Sequence, residues 1–242
     1  MTASLASCAS LHPDPTAIVV LVELSKTFTG PPPVTALHPC SLTIRRGEYI
    51  AVTGSSGSGK TTLLSLLGLL DVPTSGQYLL NGEDVAKLTD AARSALRSRE
   101  IGIVFQAFHL VGYRSVLDNV QLGLVYQGVP KAQRRVRALA AIDRVGLAHR
   151  RYALCATLSG GEKQRVAIAR TFVREPGLVL CDEPTGNLDS ATSRQILDLL
   201  QGFHSDGTTV VVITHDRAVA DLAQRRFIIT DGVLSEPEHT NA

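Results

Sequence analysis

A glycine-rich loop that ends in a lysine and a threonine is the stretch of this 242-residue chain that predicts chemistry most directly. Residues 54–61 fit the phosphate-loop pattern G-x-x-x-x-G-K-[ST], with an apolar run before them at 49–52 and a helix-like run after them at 63–67. The glycines let the backbone turn around a polyphosphate, and the following helix presents its positive end to the same anion. Lys60 would neutralise the β- and γ-phosphates, and the Thr61 hydroxyl would bind Mg²⁺. The residues predicted to bind the nucleotide here are Gly54, Ser55, Ser56, Gly57, Ser58, Gly59, Lys60, Thr61 and Thr62.

Two adjacent acids follow the apolar run at residues 178–181 and form the second candidate for nucleotide chemistry. Asp182 would bind Mg²⁺ through water, because Mg²⁺ prefers oxygen ligands and keeps several of its waters. Glu183 would orient or deprotonate the attacking water, since phosphoryl transfer needs positioning and charge compensation. Two acids at an exposed strand end are also common without any catalytic role. The phosphate loop upstream favours the catalytic interpretation.

A second candidate anion site begins at Ser159, roughly a hundred residues after the phosphate loop. Ser159 and Glu162 have the S-x-x-E spacing of a capping box that opens a helix, and a helix start alone would explain the pattern. Gly160 and Gly161, however, expose backbone N–H groups at a positive helix terminus. Two half-sites for one triphosphate in a single chain suggest that two chains share it.

The composition limits the classes of partner. A chain of this length with 44% hydrophobic residues can bury one substantial core, so we expect one domain, at most with an inserted subdomain. The net charge of +2 includes no polybasic tract, so nucleic acid is not expected as a ligand. The seven histidines lack zinc spacing, and the four widely separated cysteines fit a reducing cytosol. The longest dense apolar run, residues 63–70, is too short to cross a bilayer.

Strand and helix patterns alternate along most of the chain, which predicts an α/β fold with a mostly parallel sheet covered on both faces. The front of the chain mixes in alternating strands and an Asn81-Gly82 turn, which predicts an antiparallel β subdomain. Between residues 107 and 158 the pattern becomes helical, which predicts an inserted helical subdomain. The predicted strands cover residues 18–24, 40–45, 49–52, 77–80, 101–105, 178–181, 208–214 and 227–229.

The run Leu158 to Gln164 separates one family from other phosphate-loop proteins. The sequence resembles the nucleotide-binding subunits of ABC transporters over nearly all of residues 18–234. The resemblance implies a RecA-like P-loop NTPase core, an ABC nucleotide-binding domain over those residues, and ATP and Mg²⁺ as cofactors. Residues 1–17 are expected to be a disordered tail and residues 235–242 a polar C-terminal tail.

The remaining motifs of this family have matches here in the same order. Gln106 matches the glutamine that touches Mg²⁺ and links the site to the membrane partner, and residues 187–189 match a segment that crosses the dimer interface. His215 matches the switch histidine that contacts the γ-phosphate and positions the catalytic glutamate. Phe28 stands where the family usually has a tyrosine stacked on adenine, and a phenyl ring stacks as well but lacks the hydroxyl. The resemblance thus adds Phe28, Gln106, Leu158, Ser159, Gly160, Gly161, Glu162 and Asp189 as nucleotide-binding residues, Gln106 as a metal ligand, and His215 as a catalytic residue.

Three segments point to one subgroup of the family. Residues 67–76, 104–108 and 182–189 resemble the ATPases of macrolide-export, lipoprotein-release and cell-division FtsE-type systems. Those ATPases pair with four-helix membrane subunits and often transmit motion across the membrane. The sequence departs from their pattern at residues 109–114, where a proline-containing segment is common and which belongs to the partner-facing surface.

The expected function follows from this resemblance. Two copies would associate head to tail around two Mg-ATP, as the ATP-hydrolysing subunit of an export-type or mechanotransmitting complex. The chain would act in the cytoplasm, at the inner face of the membrane, on a separate transmembrane permease and without nucleic acid. An importer ATPase uses the same residues and stays the alternative. A soluble ABC ATPase would carry tandem cassettes, coiled-coil insertions or basic linkers, and a GTPase would carry an Asn-Lys-x-Asp segment. None of these features occurs in the sequence.

Overall fold

The computed structural model describes residues 14–237, and the strands in that range form two sheets. A four-stranded antiparallel sheet has the order β2-β1-β4-β5, and a six-stranded sheet has the order β10-β9-β3-β8-β7-β6. The strands are β1 (Ala17–Phe28), β2 (Val34–Arg45), β3 (Tyr49–Gly54), β4 (Ser75–Leu80), β5 (Glu83–Asp84), β6 (Ile101–Val104), β7 (Leu178–Asp182), β8 (Thr209–Ile213), β9 (Arg225–Thr230) and β10 (Val233–Ser235).

Helices cover both faces of the six-stranded sheet. None of the helices in the described residues is long and apolar enough to cross a membrane. The helices are α1 (Lys60–Leu67), α2 (Asp90–Glu100), α3 (Val116–Val125), α4 (Lys131–Arg144), α5 (Gly160–Phe172), α6 (Ser190–Ser205) and α7 (Arg217–Ala220).

The central strands are apolar throughout because each of their faces packs on a different hydrophobic cluster. In β8, Val211 and Ile213 face the cluster that includes α1 and the antiparallel sheet. Val210 and Val212 face the cluster that includes α3 to α6. Within the six-stranded sheet, all the pairings are parallel except the one between β9 and β10 at the edge. The predicted α/β fold, with a mostly parallel core and an antiparallel β region, is confirmed.

The helices between β6 and α5 share their buried surface with the core. Leu117 of α3 and Ile142 of α4 belong to the same cluster as Phe172 of α5 and Val179 of β7. The predicted limits of a separate helical subdomain, residues 107–158, therefore stay a prediction.

Strands β1 and β10 extend into the two segments predicted to be tails. Most of the predicted N-terminal tail, residues 1–13, lies outside the described residues, as do 238–242 at the other end. Thr16 donates to Asp14 and accepts from the backbone N–H of Arg46, and Ala17 is buried at the start of β1. Ser235 likewise ends β10. Strand pairing accounts for both differences, because Ala17 pairs with Arg45 of β2 and Ser235 pairs with Ile228 of β9.

Candidate nucleotide site

The phosphate loop connects β3 to α1 and requires glycine at two of its positions. Gly59 has a φ of 109°, and a Cβ there would lie 2.4 Å from the carbonyl oxygen of Ala36. A Cβ at Gly54 would lie 2.3 Å from the carbonyl oxygen of Ile229. Because contacts this short do not occur with real side chains, the loop is confined between β2 and β9.

The loop is suited to an anion. No side chain caps α1, and its first turn contains no acidic residue, so the positive end of the helix is free of negative charge from its own residues. Lys60 Nζ donates to the carbonyl oxygens of Gly54 at 2.9 Å and Ser55 at 2.7 Å, which holds the ammonium over the loop. Ser58 Oγ is buried without a hydrogen-bond partner among the described residues. A polyphosphate would supply acceptors for these donors.

Glu183 lies just past the end of β7, and residues at the end of β8 hold its carboxylate. His215 Nδ1 lies 2.7 Å from Oε1, which also accepts from the backbone N–H of His215 at 3.1 Å. Thr214 Oγ1 donates to Oε2 at 3.3 Å. Glu183 itself has a φ of 45°, an uncommon conformation for a non-glycine residue that often marks functional sites. The arrangement supplies a fixed carboxylate that can accept a proton.

Asp182, the neighbouring residue, is in a different electrostatic environment. Burial raises the pKa of its carboxyl, and the charge of Glu183 adds to this, while Lys60 acts in the opposite direction. Lys60, at the end of the phosphate loop, is thus close enough to Asp182 to favour its charged form. The Thr61 hydroxyl, the Gln106 amide and the Asp182 carboxylate are hard oxygen donors, which fit Mg²⁺ bound together with phosphates and water.

Gln106 is positioned by the segment that follows β7. Its side-chain Nε2 donates to Asn187 Oδ1 at 3.3 Å, and Asn187 Nδ2 donates back to the Gln106 carbonyl oxygen at 3.2 Å. A Cβ at Gly186 would lie 2.8 Å from Gln106 Nε2, so this glycine leaves room for the amide. Movement of Gln106 would therefore displace residues close to Glu183.

Ser159 and Glu162 form the predicted capping box at the start of α5. Ser159 N–H donates to Glu162 Oε2 at 2.9 Å, and Glu162 N–H donates to Ser159 Oγ at 3.3 Å. Arg150 donates to Glu162 Oε1 at 2.9 Å. The pKa of Glu162 is lowered, first by the Ser159 N–H and also by Arg150. Ser159 is exposed, so the tip of the helix faces solvent. Leu158, the residue before it, is buried and anchors the tip in the core.

The two glycines at this tip differ in their surroundings. Gly160 is partly exposed, whereas Gly161 is buried, and a Cβ at Gly161 would lie 2.3 Å from Thr192 Cγ2. Packing against α6 thus accounts for glycine at position 161. The sequence pattern predicts only that its backbone N–H group is exposed, and the packing contact adds a second reason for glycine.

Asp189 and Phe28 have local surroundings that the motifs do not reveal. Asp189 caps α6 by accepting from Ala191 N–H at 3.0 Å and Thr192 N–H at 2.9 Å. Its pKa is lowered, chiefly by the Thr192 hydroxyl. Phe28 ends β1 with 46% of its surface exposed, which leaves its ring accessible to a flat ligand.

The structure brings some of the predicted residues together and separates others. Lys60, Asp182, Glu183 and His215 gather at the carboxyl ends of β3, β7 and β8, where ligands bind in open α/β sheets. The Ser159 tip has other neighbours, since Gly160 and Gly161 approach residues 188 and 192 of the α6 region. The roles assigned to the individual site residues stay predictions.

Sequence reasoning missed four contacts that organise the site. Thr214 and Asn187 position predicted residues, Arg150 donates to Glu162, and Lys26 lies over the Phe28 ring. Thr214 directly precedes His215 at a strand end, which is a signal that could have indicated it. The other three contacts join residues far apart in the sequence or depend on strand geometry.

Comparisons with known proteins agree on one family. The family model described as ABC transporter matches residues 37–186. The chain is 46% identical over 223 residues to the macrolide export ATP-binding/permease protein MacB of Rhodospirillum rubrum, covering 92% of this chain and 34% of that protein. It is 42% identical to the lipoprotein-releasing system ATP-binding protein LolD of Shewanella denitrificans, covering 94% and 99%. A solved dimer of the ATP-binding cassette MJ0796, in a post-hydrolysis state bound to ADP and Pi, has a TM-score of 0.83 at 37% identity, covering 90% and 97%. The chain thus spans about a third of the length of the MacB relatives.

Proposed function

The chain belongs to the ABC transporter family as an ATP-binding, ATP-hydrolysing cassette, and we propose that it is the ATPase subunit of an export-type or mechanotransmitting complex. Similarity to MacB and LolD over nine-tenths of the chain supports an export-type or mechanotransmitting complex. The observation that carries the chemistry is the Glu183 carboxylate, which is held by His215 and Thr214 beside a buried Asp182.

In the proposed mechanism, the residues at the strand ends bind the metal, bind the phosphates and accept the proton of the attacking water. Bound Mg²⁺ would be held by Thr61, Gln106 and Asp182 and would supply charge compensation for the triphosphate. Lys60 would give up its two carbonyl contacts for phosphate oxygens. Glu183 would accept the proton of the attacking water, and His215 would keep its carboxylate oriented. Phe28 would stack on the adenine.

The site is proposed to be completed by a second copy of the chain. The Ser159 tip has the exposed hydroxyl and helix terminus that suit a phosphate, and its neighbours differ from those of the phosphate loop. A head-to-tail pair would place the tip of one copy over the loop of the other. The dimeric state of the solved cassette supports this arrangement.

A separate transmembrane permease is the proposed second partner, at the inner face of the membrane. A groove of about 630 Å³ lies beside β6, the strand that precedes Gln106, and is lined by Leu70, Phe105 and Tyr126. Leu70 and Tyr126 are exposed apolar side chains that a protein partner would bury. A permease segment in this groove would act on Gln106 through β6. An importer ATPase stays the alternative, and the test is whether the membrane partner co-purifies with a solute-binding protein.

Glu183→Gln tests the proposal. The amide keeps the size of the side chain and cannot act as a base, so the variant should bind Mg-ATP and dimerise on gel filtration while hydrolysis nearly stops. Adding Ser159→Arg should abolish the dimer and leave ATP binding by the monomer intact. Hydrolysis at the normal rate in Glu183→Gln, or a dimer that tolerates Ser159→Arg, would contradict the proposal.

A further inference from the structure

Lys26 is a nearly buried lysine that belongs to none of the nucleotide motifs. It lies on β1, two residues before Phe28, and only 11% of its side chain is exposed. Its Nζ forms a 2.7 Å ion pair with Asp71 Oδ1 and donates to the Val72 carbonyl oxygen at 2.8 Å. Lysine is rarely buried unless it is paired, so these two bonds fix the ammonium in one place.

The fixed ammonium lies over the ring of Phe28. Nζ is 5.0 Å from the ring centroid, within the range of a cation–π interaction. Alternate residues on a strand share a face, which explains why positions 26 and 28 meet. The ring contacts Lys26 and still remains 46% exposed, so part of its surface is accessible to a ligand.

The two partners of Lys26 come from the connection between α1 and β4. Asp71 Oδ1 also accepts from the Val72 N–H at 2.7 Å, so the same oxygen binds both the backbone of this connection and Lys26. Burial acts to raise the pKa of Asp71, but the bonds from Lys26 and Val72 outweigh it and lower the pKa, so the carboxylate stays charged. The connection between α1 and β4 thereby holds the ammonium close to the ring.

We propose that Lys26 is a positioning residue for the nucleotide base: anchored by Asp71 and Val72, it fixes the Phe28 ring as a platform on which a purine stacks. The inference rests on the proposed role of Phe28. Its specific consequence is that Lys26 contributes to the base-dependent part of nucleotide affinity and leaves the phosphate-dependent part unchanged. A lysine that served only to stabilise the fold would affect both parts alike.

The test compares ATP with inorganic tripolyphosphate, which has the phosphates and lacks the base. Affinities of the full chain are measured by calorimetry with Mg²⁺, in the Glu183→Gln background so that ATP is not consumed. Lys26→Met should weaken ATP binding about fivefold to tenfold and change tripolyphosphate binding less than twofold, because it removes the cation and retains the aliphatic stem. Phe28→Ala should show the same selectivity, and the double variant should be no weaker than Phe28→Ala alone.

Controls separate this inference from a loss of structure. Lys26→Arg keeps a cation and should recover most of the ATP affinity, and it remains informative if Lys26→Met does not fold. Lys87→Met removes an exposed lysine, 78% exposed and paired with Asp84, and should change neither affinity. Equal losses for both ligands, or an ATP affinity unaffected by Phe28→Ala, would overturn the inference. A Glu183→Gln protein that binds ATP but fails to dimerise would instead contradict the proposed shared site and leave this comparison valid.

Discussion

His215 Nδ1 lies 2.7 Å from Glu183 Oε1, across the ends of the neighbouring parallel strands β8 and β7. The backbone N–H of His215 donates to the same oxygen at 3.1 Å, and Thr214 Oγ1 donates to the other oxygen at 3.3 Å. The carboxylate is thus held by the backbone as well as by the imidazole. The imidazole is 72% exposed, whereas the Glu183 side chain is 15% exposed, so the histidine can respond to a ligand while the glutamate stays fixed.

His215→Ala should lower kcat about 100-fold while ATP-dependent dimerisation persists, because the backbone N–H at position 215 still anchors Glu183. Thr214→Val is the matched variant, since it keeps the imidazole and removes the longer contact to Oε2, together with the 3.0 Å bond that Thr214 Oγ1 accepts from the Asp216 N–H, and it should lower kcat much less. Steady-state phosphate release and gel filtration measure the two properties. Equal losses of kcat in the two variants would show that the imidazole has no role beyond holding the carboxylate.

Asp182→Asn should abolish hydrolysis and raise the Tm of the nucleotide-free protein. Burial raises the pKa of Asp182, so the ionised carboxylate destabilises the folded state above that pKa. As pH falls below the unfolded pKa, Asp182 is protonated in both states and the penalty disappears. The Tm difference between variant and wild type should therefore be largest near neutral pH and shrink on acidification.

Asp189→Ala is the control, because its change in Tm at neutral pH should have the opposite sign. The pKa of Asp189 is lowered, first by the Thr192 hydroxyl, so its charge stabilises the fold above the unfolded pKa and this contribution is lost as pH falls through the folded pKa. This variant should lower the Tm at neutral pH. If Asp182→Asn also lowered the Tm there, the inferred burial penalty would be wrong.

The parts of the site that the sequence predicts are those with a local physical cause. The phosphate loop, the acids after β7 and the capping box of Ser159 and Glu162 each depend on spacing within a few residues. Contacts such as Arg150 with Glu162 depend on how distant segments pack, and no local period encodes them. The fold class was predictable for the same reason, because the central strands β7 and β8 are nearly continuous apolar runs.

The segment at residues 109–114, where the sequence departs from its subgroup, is held by contacts with side chains of α3 and α5, outside the segment itself. Buried Asn119 donates to the Val111 and Ser115 carbonyl oxygens at 3.1 and 3.0 Å, and its Oδ1 accepts from the Val111 N–H at 2.8 Å. Arg170 donates to the carbonyl oxygens of Phe108 and His109. The segment is therefore tied to α3 and α5 without a proline.

Asn119→Leu should reduce the free energy of unfolding by about 3 kcal/mol, because leucine has a similar size and leaves several backbone groups unsatisfied. Urea unfolding with an unchanged m-value measures the loss. Gln133→Leu, on the exposed face of α4, is the control and should change stability by less than about 0.5 kcal/mol. A small effect of Asn119→Leu would mean that water replaces the amide.

Gly161 and Thr192 form a packing pair that a double-mutant cycle can resolve. A Cβ at Gly161 would lie 2.3 Å from Thr192 Cγ2, and the threonine cannot rotate freely because its Oγ1 donates to Asp189 Oδ2 at 2.7 Å. Gly161→Ala alone should therefore cost about 1–3 kcal/mol of stability, in spite of the higher helix propensity of alanine.

Thr192→Ser removes the obstructing methyl group and retains the hydroxyl that binds Asp189, so in this background Gly161→Ala should regain more than half of the lost stability. Chemical unfolding of the four proteins gives the interaction energy directly. ATP-dependent dimerisation of the rescued variant, measured with Glu183→Gln, then separates packing from phosphate binding. A rescued protein that dimerises normally shows that glycine at 161 serves the contact between α5 and α6. One that folds normally and stays monomeric shows that glycine at 161 is needed at the shared site as well.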